Sequence, residues 1–143
     1  MGDLNNTGVV ELWDGTAWTE VSEINTARAS SGGSGSNSTS GLVFGGATPP
    51  NTLADVTESW NGSAWSELND MNKSRRALGG AGTQTAGLVF AGQEPSNSAK
   101  TESWDGTSWT ETGDMSTSRS LLGGSSGSGT TSGCLLYTSP SPR

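Results

Sequence analysis

The chain has 143 residues, a net charge of −7 and no histidine. An acidic chain lacks the basic stripe that nucleic acid and anionic membranes require, and without histidine neither a Ser-His-Asp triad nor a histidine metal site can form within it. No run approaches the roughly 18 apolar residues of a membrane helix, and the opening Met1-Gly2-Asp3-Leu4-Asn5-Asn6 has neither the basic region nor the apolar core of a signal peptide.

Only 29% of residues are hydrophobic, but six are Trp, each able to bury about 150–250 Å². The first element is a hairpin, Glu11-Leu12-Trp13-Asp14-Gly15-Thr16-Ala17-Trp18. Asp-Gly at its centre predicts a type I′ turn with a two-residue loop. That register sets Trp13 opposite Thr16 and Glu11 opposite Trp18, with the Trp pair as diagonal neighbours on one face. Arg28 follows, and then a Gly-rich stretch from Gly32-Gly33, read as the fourth strand of the unit that contains the hairpin. Gly41-Leu42-Val43-Phe44-Gly45-Gly46 is an apolar run bounded by glycines, which predicts a buried strand.

These landmarks recur. Glu58-Ser59-Trp60-Asn61-Gly62-Ser63-Ala64-Trp65 and Glu102-Ser103-Trp104-Asp105-Gly106-Thr107-Ser108-Trp109 repeat the hairpin at intervals of 47 and 44 residues. Arg75 and Arg119 repeat Arg28 at the same intervals, and Gly87-Leu88-Val89-Phe90-Ala91-Gly92 repeats the apolar strand. A disordered tract has no reason to hold three landmarks in register. Each period therefore predicts four short antiparallel strands, the size and make-up of a propeller blade. The units fall at residues 1–40, 41–86 and 87–133.

The order of apolar strand, glycines, Glu two residues before an aromatic, Trp after the turn, Met, Arg and glycines resembles the kelch repeat. It is carried here by Gly45-Gly46, Glu58, Trp60, Trp65, Met71 and Arg75, and again by Gly92, Glu102, Trp104, Trp109, Met115 and Arg119. Three features depart from the family pattern: Trp stands at the first aromatic position, the hairpin turn is short, and Ala91-Gly92 replaces a Gly pair. The resemblance implies an all-β, partial β-propeller over residues 1–133, stabilised by neighbouring blades, with the remaining blades of the same propeller as its first partners.

From Cys134 to Arg143 the chain shares nothing with the repeats. The codons TGT CTC TTA TAC ACA TCT CCG AGC CCA CGA spell this segment, and the string resembles a transposon adapter used in sequencing libraries. Residues 134–143 are therefore read as a non-native tail, although Leu135, Leu136 and Tyr137 sit where the next apolar strand belongs.

The recurring Glu11, Glu58 and Glu102 could in principle form a carboxylate pair of the glycosidase type. Recurrence once per unit argues for architecture instead, with each Glu meeting the repeat's Arg. Trp13, Trp18, Trp60, Trp65, Trp104 and Trp109, with Arg28, Arg75 and Arg119, are assigned to the blade scaffold on the same ground. The sequons at Asn5, Asn37, Asn61 and Asn72 are expected by chance in so Asn- and Ser-rich a chain, and Asn61 has its own place in a turn. No catalytic, cofactor or metal residue is assigned, so the chain is expected not to be an enzyme.

Recognition belongs to the loops that vary. Gly46 to Glu58 spans 12 residues against 10 from Gly92 to Glu102, and Gly33 to Gly41 spans 8 against 7 from Gly80 to Gly87. These differences account for the whole change in period. The first pair contains Pro49-Pro50-Asn51-Thr52 and Gln93-Glu94-Pro95-Ser96, the candidate binding loops. They are expected to share an end of the blade with the connections that follow the Trp hairpins. The leading expectation is a non-catalytic scaffold that recognises a protein or a glycan. The alternatives are a structural or host-contact component of a virus particle or cell surface, and the non-catalytic part of a larger propeller enzyme such as a copper oxidase.

Overall fold

The computed structural model describes residues 7–125 and 134–136. Among them the chain is all-β and has no helix, so none is long and apolar enough to cross a membrane. In chain order the strands are β1 (Val10–Trp13), β2 (Trp18–Val21), β3 (Gly32–Asn37), β4 (Ser40–Thr48), β5 (Thr52–Trp60), β6 (Trp65–Glu67), β7 (Gly79–Gly82), β8 (Gly87–Phe90), β9 (Thr101–Trp104), β10 (Trp109–Thr112), β11 (Gly123–Ser125) and β12 (Cys134–Leu136).

Two complete antiparallel sheets run β3-β4-β5-β6 and β7-β8-β9-β10, each in sequence order. Two-stranded sheets, β1-β2 and β11-β12, flank them. The sheets are one strand out of phase with the sequence periods 41–86 and 87–133. The Gly-rich strand does not close the sheet of the Trp hairpin before it. It pairs with the apolar strand after it, Gly32 opposite Phe44 and Gly79 opposite Phe90. The reason is reach: the long connection of residues 68–78 carries the chain from β6 to the next sheet, whereas only short turns separate β3 from β4 and β7 from β8.

Glycine at this edge is a packing requirement. β3 and β7 lie against each other, and so do β7 and β11. A Cβ added at Gly80 would stand 2.5 Å from the Gly33 carbonyl oxygen, closer than any side chain tolerates. Bulk returns one strand further in. Leu42 and Phe44 from β4, Met71 and Leu78 from the connection, and Val89, Trp104 and Trp109 from the second sheet form one buried cluster between the sheets. The two apolar strands are thus core strands, as their glycine-bounded runs predict.

The hairpin register differs from the expected one. Trp13 pairs with Trp18, Trp60 with Trp65 and Trp104 with Trp109, directly across the strands. Within the first turn only Gly15 has positive φ, at 101°, so a type I′ turn centred on Asp14-Gly15 does not form. The turn instead centres on Gly15-Thr16. The Asp14 carboxylate accepts the amides of Thr16 and Ala17 at 2.7 and 2.8 Å, an Asx arrangement that outcompetes the primed turn. Asn61 and Asp105 do the same in the later hairpins. These amide donors hold the Asp14 and Asp105 carboxyls below their ordinary value. With direct pairing the two indoles lie 5.2–5.4 Å apart and tilted by 40–43°.

β12 falls in the segment 134–143. Its backbone pairs with β11, Gly123 opposite Leu136 and Gly124 opposite Leu135, the register of Gly79–Phe90 and Gly80–Val89. Tyr137 and the rest of that segment lie outside the described residues.

Candidate binding face

The repeated arginines and glutamates meet, but across the period rather than inside it. Arg28 Nη1 donates to Glu58 Oε1 at 2.6 Å, and Arg75 Nη2 donates to Glu102 Oε1 at 2.8 Å, with all four side chains fully buried. Each arginine precedes its sheet and pairs with a glutamate on the third strand of the same sheet. Asn25 joins the first pair: its amide and Nδ2 donate to Glu58 Oε2 at 2.7 and 2.9 Å. Asn72 does the same for Glu102 at 2.8 and 3.0 Å. Burial pushes the Glu58 carboxyl up, but Arg28 and the amides of Asn25 and Thr26 outweigh it and leave Glu58 below its ordinary value. Burial likewise depresses Arg75, opposed by Glu102 and Glu94. Both oxygens of Glu58 and of Glu102 accept from donors of the chain itself, inside the protein. Of the Asn residues three before Arg28 and Arg75, sequence reasoning passed over Asn25 and noted Asn72 only as a chance sequon. Their signal is Asn25-Thr26-Ala27-Arg28 beside Asn72-Lys73-Ser74-Arg75.

The Trp pairs fasten one sheet to the next. Trp109 Nε1 donates to Thr57 Oγ1 at 3.0 Å, and its ring meets Phe44 edge-on at 5.1 Å. Trp65 Nε1 donates to the Ser22 carbonyl oxygen at 3.0 Å. Trp60 and Trp104 are buried in their own sheets and donate to Ser38 and Gln84 carbonyls. Trp13 and Trp18 depart from the scaffold assignment, because both are exposed.

The candidate loops come together at one end. Pro49-Pro50-Asn51 turns from β4 into β5, and Gln93-Glu94-Pro95-Ser96 leads from β8 toward β9. Both contain a cis X-Pro bond, at Pro49-Pro50 and Glu94-Pro95. The Arg76 guanidinium lies between the two loops: Nη1 donates to Asn51 Oδ1 and Nε donates to Gln93 Oε1 at 3.2 Å. Backbone bonds between Arg76 and Gln93 tie the 68–78 connection to the same end. Glu94 is partly fixed from within, accepting from Ser98 Oγ at 2.9 Å and lying 3.7 Å from Arg75 Nη1. Pro49, Pro50, Asn51, Thr52, Pro95 and Ser96 are exposed. Beside the second loop is an open cavity of about 290 Å³, lined by Glu94, Ser96, Asn97, Ser98, Lys100 and Asp114 among others. Carboxylates, hydroxyls, an amide and an ammonium give it hydrogen-bonding partners of both kinds for a polar ligand. Arg76 is the residue missed by sequence reasoning. Its signal is the second Arg of Arg75-Arg76, where the other periods have Arg28-Ala29 and Arg119-Ser120.

No protein-family model and no curated protein matches the chain. Among solved structures the chain is similar to the structure of YjhT, with a TM-score of 0.62 at 13% sequence identity. The match covers 76% of this chain and 38% of YjhT. At this identity the likeness concerns the fold, and the chain spans well under half of that neighbour's length.

Proposed function

We propose that this chain is part of a kelch-like β-propeller and serves as a non-catalytic scaffold that recognises a protein or a glycan through the loop end around Asn51, Arg76 and Gln93. The stacked four-stranded sheets with adjacent Gly-rich edge strands support the propeller reading, because blades meet in this way around an axis. The recognition reading is carried by one observation: two loops of different length converge on a single guanidinium, next to an open polar cavity. Rigid sheets below them preorganise that end, which is where binding residues are usually found. The ligand class that suits the lining is hydroxyl-rich or peptidic, met by hydrogen bonds and not by a large apolar pocket.

Screening the full chain against a glycan array and a peptide-display library tests this. Binders are expected to lose affinity with Arg76→Ala and with Asn51→Ala. Binders that keep full affinity for both variants, and lose it instead when the hairpin turns at Asn61 and Asp105 are altered, would place recognition at the opposite end.

A further inference from the structure

Asn61-Gly62 is the only Asn-Gly step in the sequence. It occupies the turn where the other two hairpins have Asp14-Gly15 and Asp105-Gly106. The three turns share one conformation: φ is 101° at Gly15, 98° at Gly62 and 95° at Gly106. That conformation calls for glycine, and a glycine amide has no side chain to hinder its approach to a neighbouring carbonyl carbon. Asn61, Gly62, Ser63 and Ala64 are all exposed. Neither the Gly62 amide nor Asn61 Nδ2 has a hydrogen-bond partner among the described residues. Asn61 Oδ1, by contrast, accepts from the Ser63 amide at 2.9 Å, from Ser63 Oγ at 3.1 Å and from the Ala64 amide at 2.9 Å.

We propose that Asn61 is a self-modifying site, which its own turn converts to aspartate with solvent water as the co-reactant. The Gly62 amide nitrogen attacks Asn61 Cγ, and an N–Cγ bond forms as negative charge collects on Oδ1. Three donors already point at that oxygen, and donors aimed at developing charge lower such a barrier. The Cγ–Nδ2 bond then breaks, Nδ2 leaves as ammonia with the proton of the Gly62 amide, and a five-membered succinimide remains. Water opens the ring at one of its two carbonyls. The donors on Oδ1 activate the Cγ carbonyl. Opening there breaks the new N–Cγ bond, restores the original peptide link and leaves an ordinary Asp. Opening at the main-chain carbonyl gives the β-linked isomer, whose longer backbone disturbs the pairing of Trp60 with Trp65. The other hairpins already show the place of the Asp product. Asp14 accepts its two amides at 2.7 and 2.8 Å and Asp105 accepts both of its own at 2.8 Å, against 2.9 Å for those of Asn61. A charged acceptor shortens and strengthens such bonds. The conversion adds one negative charge to a chain already at −7, at the hairpin end and not at the loops around Arg76.

The test incubates the full chain at mildly alkaline pH, in buffer and in guanidinium chloride, and maps its peptides by mass spectrometry. An isoaspartate-specific methyltransferase separates the two isomers. Asn61 is expected to convert faster in the folded chain than in the unfolded one, and chiefly to Asp. Asn37 is the internal control. It is exposed and its Oδ1 accepts from the Thr39 amide and Oγ1 at 2.9 Å each, but Ser38 follows it in place of glycine, so it is expected to stay unchanged. Ser63→Ala removes one donor and is expected to slow the folded chain's conversion roughly 3–10-fold, the worth of one hydrogen bond, with the unfolded rate unaltered. Conversion slower in the folded chain than in the unfolded one overturns the proposal, because the turn then guards Asn61. Isoaspartate as the main folded-state product overturns the opening at Cγ. A Ser63→Ala chain that converts as fast as wild type overturns the part given to the donors.

Discussion

Arg28 and Glu58 stand 30 residues apart in the chain and 2.6 Å apart in space, both side chains wholly shielded from solvent. The pair ties the connection entering a sheet to that sheet's third strand, and Arg75 with Glu102 repeats it in the next sheet. Asn25 and Asn72 extend each pair to the Trp hairpin, donating from Nδ2 to the carbonyl oxygens of Trp65 and Trp109 at 3.1 and 3.0 Å. Small residues cover most of this chain, so hydrogen-bonded charge does locally what a larger apolar core does in other folds.

The depressed Glu58 carboxyl makes stability pH-dependent. A carboxyl held below its unfolded value stabilises the fold above that unfolded value, near 4.5, and the contribution disappears as pH falls through the folded value. Thermal melts from neutral to acid pH are expected to show wild type losing its advantage over Glu58→Gln as the solution becomes acid. A constant difference between the two would contradict this assignment.

The Gly-rich edge is a steric requirement at particular positions. Gly80→Ala places a methyl 2.5 Å from the Gly33 carbonyl oxygen, whereas a Cβ at Gly113 meets nothing within 4 Å. Denaturant melts are expected to show Gly80→Ala losing about 1–3 kcal/mol, the cost typical of overpacking. Gly113→Ala is expected to be neutral or slightly stabilising.

The Trp residues differ in worth according to what covers them. Trp109→Ala removes the Phe44 contact and the bond to Thr57 and is expected to cost about 3–5 kcal/mol. Trp18→Ala, at a position 64% exposed, is expected to cost less than about 1 kcal/mol. Chemical denaturation at low protein concentration distinguishes them.

Much of the fold was legible in the residues because strands and turns carry local signals. The Glu-x-Trp hairpins, the glycine-bounded Leu-Val-Phe runs and the period of 44–47 residues each point to short antiparallel strands. The hairpin register was not legible, since Asp-Gly suits a primed turn equally well until the Asp14 carboxylate is seen capturing two amides. Strand membership also escaped, because the assignment of Gly32–Asn37 to the following sheet depends on how far the preceding connection reaches. Loop variation singled out the two loops that carry Asn51 and Gln93. Arg76 has meaning only once the two loops are adjacent, and no linear pattern states that.

One buried Arg–Glu pair latches each of the two four-stranded sheets into a repeating stack. A double-mutant cycle on Arg75 and Glu102 measures it most directly. Arg75→Met and Glu102→Gln alone are each expected to cost about 3–5 kcal/mol by stranding a buried charge. The double variant is expected to lose far less than their sum, so that the two sites are strongly coupled. Costs that simply add, or single variants as stable as wild type, would contradict the latch.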